Sequence, residues 1–555
     1  MSATEVTAAT TATAAIDATA VPAATGIRDV RVASPTIAQG ASVIAGVTVV
    51  SRLAGFIRTA VLGQALGATF LGNTYATANT VPNVLYEVVA GGALASLVVP
   101  VLARPAASLT GGDEVRRTTS ALLTWTLLAL VPLTVIAALL AHPVMSLLVG
   151  SAPPGRLRSD EVDVGARMLV IFMPQMVLYG VGIICSGVLQ AHRRFLAPAL
   201  APLVSSVAVT AAYLIFMALP TGAEVTTVSR TGELVLAVGT TLGVVALTAT
   251  VLIPVLGMRL RLRPRWQFPP GVALQIRRLA VAGAAVLLAQ QASVAVALRL
   301  ANPQQGAVLV FTLATAVFLL PWAVLAVPVA SSAFPVLSAA AAEGDRARYE
   351  ETVLASCRAV LIGTLLAAGL LIGCASPVAR MLLAAAPGAA SAPAHLAAAI
   401  RALSVGLVGF GILAVASRAL YADARARAAG TATVIGWLVV LIADVVLTQL
   451  WAGSPRATLL GVGNTLGMTM AGLLLLAALR VRARSLARTA GAGVLAAAGA
   501  ALVGLLVARM LSGGGTAQAV VAVAVAGGLS VLAGVTVLQV LARDEMRSAL
   551  QVLRR

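Results

Sequence analysis

Two arginines, Arg52 and Arg58, stand inside the first long apolar stretch of this 555-residue chain, in SRLAGFIRTAVLG. An arginine near mid-bilayer costs roughly 2.5–3.5 kcal/mol on insertion scales, so such a residue faces a water-filled cavity or a partner rather than lipid. Six helical residues separate the pair, which is about 9 Å of rise and about 120° of rotation. They do not stack on one line, but both can edge a wide cavity. A guanidinium is always charged and grips phosphate oxygens through paired hydrogen bonds, so the pair points to an anion site. The bland alternatives are that Arg58 snorkels to an interface and Arg52 pairs with an acid.

The next apolar stretch opens on a polar run: Asn73, Thr74, Tyr75, Thr77, Asn79 and Thr80, then Pro82, Asn83, Tyr86 and Glu87. Pro82 predicts a kink and Gly91-Gly92 a loosened turn beyond it. Glu87, an acid inside an apolar span, is either a counter-ion for an arginine or a proton- or cation-linked group. We take Arg52, Arg58, Asn73, Asn83, Tyr86 and Glu87 as candidate substrate-binding residues. Asp444, in VVLIADVVL, is a second intramembrane acid. With Asn464 or Thr465 it could hold a coupling cation, or it could be paired structurally. Cys185, Cys357 and Cys374 sit in apolar runs without metal-ligand spacing and read as packing residues. His142, His192 and His395 are scattered near span ends. The chain has no HExxH, GxSxG or P-loop motif, so neither catalysis, a metal nor a cofactor is expected.

Composition defines the elements that must position these residues. The chain is 60% hydrophobic and 10% charged, with a mean hydropathy of +0.99. It reads as an all-α polytopic membrane protein. A net charge of +19 would suggest nucleic acid for a soluble protein. Here the arginines, which make up all 38 basic residues, lie mainly in loops where they set topology, and no nucleic acid is expected. A span needs about 20 mostly apolar residues. By that measure fourteen occur, near 37–66, 71–103, 118–149, 165–190, 196–219, 232–257, 273–301, 306–339, 350–384, 396–422, 427–452, 457–480, 487–511 and 516–542. Their length and lack of strand-like alternation favour helices over a barrel. The side that holds the N-terminal tail, alternate loops and the C terminus collects 26 arginines, against eight in the opposite loops and span edges. The positive-inside rule therefore places both termini in the cytoplasm and the chain in the cytoplasmic membrane.

The chain also repeats itself. PNVLYEVVAGGALASLVVPVLAR from Pro82 resembles PWAVLAVPVASSAFPVLSA from Pro321, with Pro100 matching Pro335 and Asp113 matching Asp345. LQAHRR at Leu189 matches LYADAR at Leu420. The offsets of 235, 232 and 231 residues move six spans on and keep orientation, so two six-helix lobes are expected, related by a parallel pseudo-two-fold. The predicted organisation is a disordered cytoplasmic tail at 1–35, an N-lobe at 36–257, a C-lobe at 258–485, and helices 13 and 14 with a short tail at 486–555.

These motifs resemble the MurJ/MviN family, flippases for the lipid-linked peptidoglycan precursor lipid II, within the multidrug/oligosaccharidyl-lipid/polysaccharide exporter group. The resemblance is clearest in SRLAGFIR at Ser51–Arg58, in Pro82–Leu102, in QAHRRFLAPALAP at Gln190–Pro202 and from Arg401 onward. It covers most of residues 37–485. It implies fourteen helices, a central cavity for the diphosphate and sugar-peptide head, a lipid-tail groove beside helices 13 and 14, and Arg52 and Arg58 as cavity arginines. The chain departs from the family pattern where a helix-2 acid aligns with Asn73, a helix-2 arginine with Tyr86, and a helix-8 arginine with Ala316. This version of helix 2 and the lysine-free composition resemble an actinobacterial branch. The resemblance implies lipid II translocation from inner to outer leaflet; we expect it to proceed by alternating access, driven by membrane potential or a monovalent cation. Membrane lipids, and cell-wall synthesis or division proteins, are the implied partners. Two other readings stay open: a flippase for another polyprenyl-linked glycan or a drug/cation antiporter, and a non-transporting scaffold for cell-wall enzymes.

Overall fold

The computed structural model describes residues 35–91, 112–150, 158–258, 260, 262–267, 272–383, 385–388, 390–511 and 516–541. The expected tails at 1–34 and 542–555, Gly92, and the far half of the second span lie outside these residues. The expected apolar spans appear as helices, as they must where lipid offers backbone groups no hydrogen-bond partner. They are α1 (Pro35–Leu66), α2 (Phe70–Tyr86, continued by a π-turn at Glu87–Gly91), α3 (Gly112–Leu139, then Ala141–Val149), α4 (Arg158–Phe172, then Gln175–Ala191) and α5 (Leu196–Ala218). Next come α6 (Arg230–Gly257), α7 (Val272–Ala301), α8 (Ala307–Pro321, a π-turn at Trp322–Ala326, then Val327–Glu343), α9 (Arg346–Leu383) and α10 (Ala392–Ala422). The chain ends in α11 (Ala426–Leu450), α12 (Arg456–Ala478), α13 (Ala483–Met510) and α14 (Thr516–Leu541). Thirteen of these are long and apolar enough to cross a membrane within the described residues. The exception is α2, followed only to Gly91. Two expected spans are interrupted: α3 breaks at Leu140, and α4 kinks where Pro174 has no amide hydrogen to continue the ladder.

The repeat is visible in the backbone. Gly67 and Gly306 both adopt left-handed φ, 58° and 71°, just before α2 and α8. Their separation equals that of Pro82 and Pro321 in the matched motifs. A second pair lies at the LQAHRR and LYADAR motifs. Arg193 and Ala424 have φ of 58° and 56°, and the amides of Arg194 and Arg425 close back on the carbonyls of Leu189 and Leu420 at 2.8 and 2.7 Å. Both repeat-related helices, α2 and α8, carry a π-turn after their proline, where the missing amide loosens the regular ladder.

Within the first half α5 packs closely on α6 and α1, and in the second α10 and α11 pack on α12. Helices α13 and α14 pack on each other and on α9. Small residues permit this: a Cβ at Gly373 would stand 3.0 Å from the Gly504 Cα, so α9 and α13 meet backbone to backbone. Leu53, Ile57, Leu242 and Leu502 are more than half exposed, as lipid-facing side chains are.

Candidate functional site

Between the two halves lies a cavity of about 470 Å³. Helix α1 delivers Arg58 to it, and α2 delivers Asn83, Tyr86 and Glu87. Asp444 of α11 and Asn464 of α12 line the same space from the other side. Six of the nine residues singled out by sequence thus share one cavity. Arg52, Asn73 and Thr465 do not line it.

Each exception has a geometric reason. Arg52 is half-buried one and a half turns nearer the start of α1. Asn73 is completely buried, with its amide committed to the start of α8: its Oδ1 accepts from the Val308 amide at 3.0 Å, and its Nδ2 donates to the Gln304 carbonyl at 2.8 Å. Asn73 and Asn83 are ten residues apart, about 15 Å along a helix, and reach different levels of the molecule. Thr465 accepts from the Gly406 amide at 3.0 Å and donates to the Ala402 carbonyl at 2.6 Å. It joins α12 to α10, because one residue beyond Asn464 the helix has turned by about 100°.

Asn73 belongs to a clasp between the halves. Asn302 Nδ2 donates to the Thr77 hydroxyl at 3.0 Å and to the Leu148 carbonyl at 3.2 Å. Gln305 donates to Glu224 at 2.9 Å, Gln64 to the Met381 carbonyl at 2.9 Å, and the Ala68 amide to the Pro387 carbonyl at 3.1 Å. These bonds gather where α1 ends and α2 begins, at the end of the molecule away from the start of α1. Burial, with the Gln305 hydrogen bond opposing it, raises the Glu224 carboxyl above its ordinary value. The polar run Asn302-Pro303-Gln304-Gln305 was the sequence signal for this clasp.

Several cavity groups have unmet hydrogen-bonding capacity. Glu87 Oε2, the Tyr86 hydroxyl, Asp444 Oδ1 and Asn464 Oδ1 are buried without a hydrogen-bond partner among the described residues. Among the described residues Glu87 and Arg58 line the same cavity without forming an ion pair. The Asp444 carboxylate lies against Gly463, where any Cβ would collide with it.

Sequence reasoning missed a hydroxyl chain on the cavity wall. Thr240 donates to the Leu236 carbonyl at 2.7 Å, so it accepts from Tyr75 across 2.6 Å. Tyr75 in turn accepts from Tyr213 across 2.8 Å. The chain is therefore directed, and it leaves lone pairs of Tyr213 as its open acceptor end. Arg58 lies close enough to act electrostatically on both tyrosines. Tyr213, the one tyrosine of α5, was the available signal.

Residues 62–543 match the family described as "Lipid II flippase MurJ". A Burkholderia cenocepacia protein described as "Lipid II flippase MurJ" is 30% identical over 171 residues, covering 30% of this chain and 32% of that one. A Rickettsia prowazekii "Probable lipid II flippase MurJ" is 25% identical over 187 residues, covering 33% and 35%. The chain spans about a third of the length of these curated relatives in those alignments. Among solved structures, "Lipid II flippase MurJ, inward closed conformation" superposes with a TM-score of 0.70 at 16% identity, over 91% of this chain and 100% of that one. An inward-facing multidrug resistance MATE transporter of the MOP superfamily superposes with a TM-score of 0.57 at 17% identity, over 80% and 96%. At these identities the structural likenesses establish the fold.

Proposed function

The chain belongs to the lipid II flippase MurJ family, and from that membership we propose that it carries a polyprenyl-diphosphate-linked glycopeptide, lipid II, from the inner to the outer leaflet of the cytoplasmic membrane. The observation that carries this reading is the cavity between the halves, with Arg58 on its wall and the clasp at one end. The arginine asymmetry favours cytoplasmic termini; in that orientation the clasp lies on the outer side and the closed end faces away from the substrate's source. In this reading the headgroup enters from the cytoplasmic side. Arg58 holds the diphosphate through charge-assisted hydrogen bonds, the clasp opens as the halves rock, and the lipid tail stays in the bilayer. No covalent bond is made or broken.

The driving force is membrane potential, worth roughly 2.3 kcal/mol per charge per 100 mV, or a monovalent cation. The unpartnered oxygens of Asp444 and Asn464 favour a cation site; Thr465, with its hydroxyl already committed, is not part of it. Transport that persists unchanged without sodium or potassium, and in Asp444→Asn, would remove the cation from the mechanism.

Complementation tests the main reading. In a strain depleted of its lipid II flippase, the stably expressed wild-type chain restores growth and Arg58→Ala does not. Failure of the wild type at normal expression would favour a different polyprenyl-linked glycan or a scaffolding role.

A further inference from the structure

The aromatic side chains of the cavity divide by lobe. All four on the first-half wall are tyrosines: Tyr75, Tyr86, Tyr179 and Tyr213. All four on the opposite wall lack a hydroxyl: Phe311, Phe318, Phe410 and Trp437. The first wall also carries Arg58, Asn83 and Glu87, and the second Gln290, Asp444 and Asn464. The hydroxylated rings thus line one wall, and the other offers apolar ring faces among its polar groups.

The second wall is built to hold its rings in place. The Trp322 ring, completely buried, lies behind Phe410 at 4.8 Å and 32°. Its Nε1 donates to the Phe410 carbonyl at 3.3 Å. Phe318 flanks Phe410 at 5.8 Å. Ser293 donates to the Trp437 carbonyl at 2.9 Å, fixing α11 against α7. Trp437 stands seven residues, about two helical turns, before Asp444, so the two share one face of α11.

A pyranose ring with equatorial substituents presents polarised C–H bonds on its faces and hydroxyls at its rim. The faces match the negative face of an aromatic ring, and the rim matches tyrosine and asparagine side chains. We propose that Phe410 and Trp437, with Phe318 beside them, form a sugar-binding shelf that takes the pyranose faces of a diphosphate-linked glycan while Arg58 opposite takes the diphosphate. The inference rests on the lipid-linked glycan reading above and adds what recognises the sugar. An aromatic shelf binds a neutral ring without adding a buried ion.

The test is a ratio of affinities measured on the full-length chain in nanodiscs, for undecaprenyl diphosphate, which has no sugar, and for lipid II. The wild type should prefer the glycan-bearing lipid by about tenfold. Phe410→Leu and Trp437→Leu should bring the ratio close to one, and Phe410→Tyr and Trp437→Phe should recover it. Arg58→Gln should weaken both lipids and keep the ratio. A ratio unchanged in both leucine variants overturns the shelf. A wild type that binds both lipids equally overturns the shelf while leaving the diphosphate reading intact. A wild type that binds neither overturns the lipid reading itself.

Discussion

Arg58 and Arg52 looked equivalent as residues, two guanidiniums one and a half turns apart in a span that should contain none. The fold separates them: Arg58 lines the cavity and Arg52 does not. The energetic argument identified both as anomalies, but which one reaches the cavity depends on how α1 is rotated against its neighbours, and a six-residue spacing cannot supply that. We therefore expect unequal effects. Arg58→Ala removes a charge-assisted contact worth about 1.5–3 kcal/mol, so affinity for a diphosphate lipid should fall about 10- to 150-fold. Arg52→Ala should lower it less. Titration of both variants with undecaprenyl diphosphate would measure the difference, and equal losses would show that Arg52 also reaches the ligand. Asp444 and Asn464 were legible as a pair because a buried acid in an apolar span is costly wherever it points. Thr465 was not separable from Asn464, because a threonine hydroxyl is satisfied as readily between helices as in a site. The directed chain through Tyr213, Tyr75 and Thr240 was hidden for a related reason: its links join α2, α5 and α6, and no local pattern connects them.

At the scale of elements, the long helices were legible because a run of about 20 apolar residues has few alternatives in a membrane. Their interruptions were only partly so: Pro82 foretold a disturbance in α2, but the π-turn at Glu87–Gly91 is where the helix absorbs it. The clasp was misread, since Asn73 was grouped with the cavity residues of the same helix. Its true role makes a specific expectation. Asn302→Ala removes the side-chain bonds to Thr77 and Leu148. Losing buried hydrogen bonds of this kind costs about 1–3 kcal/mol, which should shift the closed population toward open by about 5- to 150-fold. Spin labels on either side of the clasp would report longer distances in the variant. The contact of α9 with α13 supports a second expectation. Gly373→Ile places a branched side chain against the Gly504 backbone, and overpacking of this sort costs about 1–3 kcal/mol. Thermal unfolding in detergent should show a lower midpoint, with α13 and α14 prised from α9.

For the whole molecule, if the two halves move as bodies in transport, the clasp is where they must part. The sequence repeat anticipated two similar halves, and the recurring left-handed positions at Gly67 and Gly306, and at Arg193 and Ala424, show how closely the backbone follows it. The halves nevertheless differ at the cavity, tyrosine and arginine on one wall, phenylalanine and tryptophan on the other, which a repeat cannot foretell because it reports ancestry of the backbone rather than divergence of the walls. Alternating access requires the bonds from Asn73, Asn302 and Gln305 to break together once per cycle. Bridging Glu224→Cys to Gln305→Cys with a short thiol-reactive linker should therefore stop transport, since these side chains meet at 2.9 Å across the clasp. The three native cysteines are buried and free, so the reagent has no competing target on the folded chain's surface. A cleavable linker should restore transport on reduction, whereas the same reagent on either single variant should leave it unchanged. Full transport by the bridged double variant would mean that the halves pass the substrate without parting at this end.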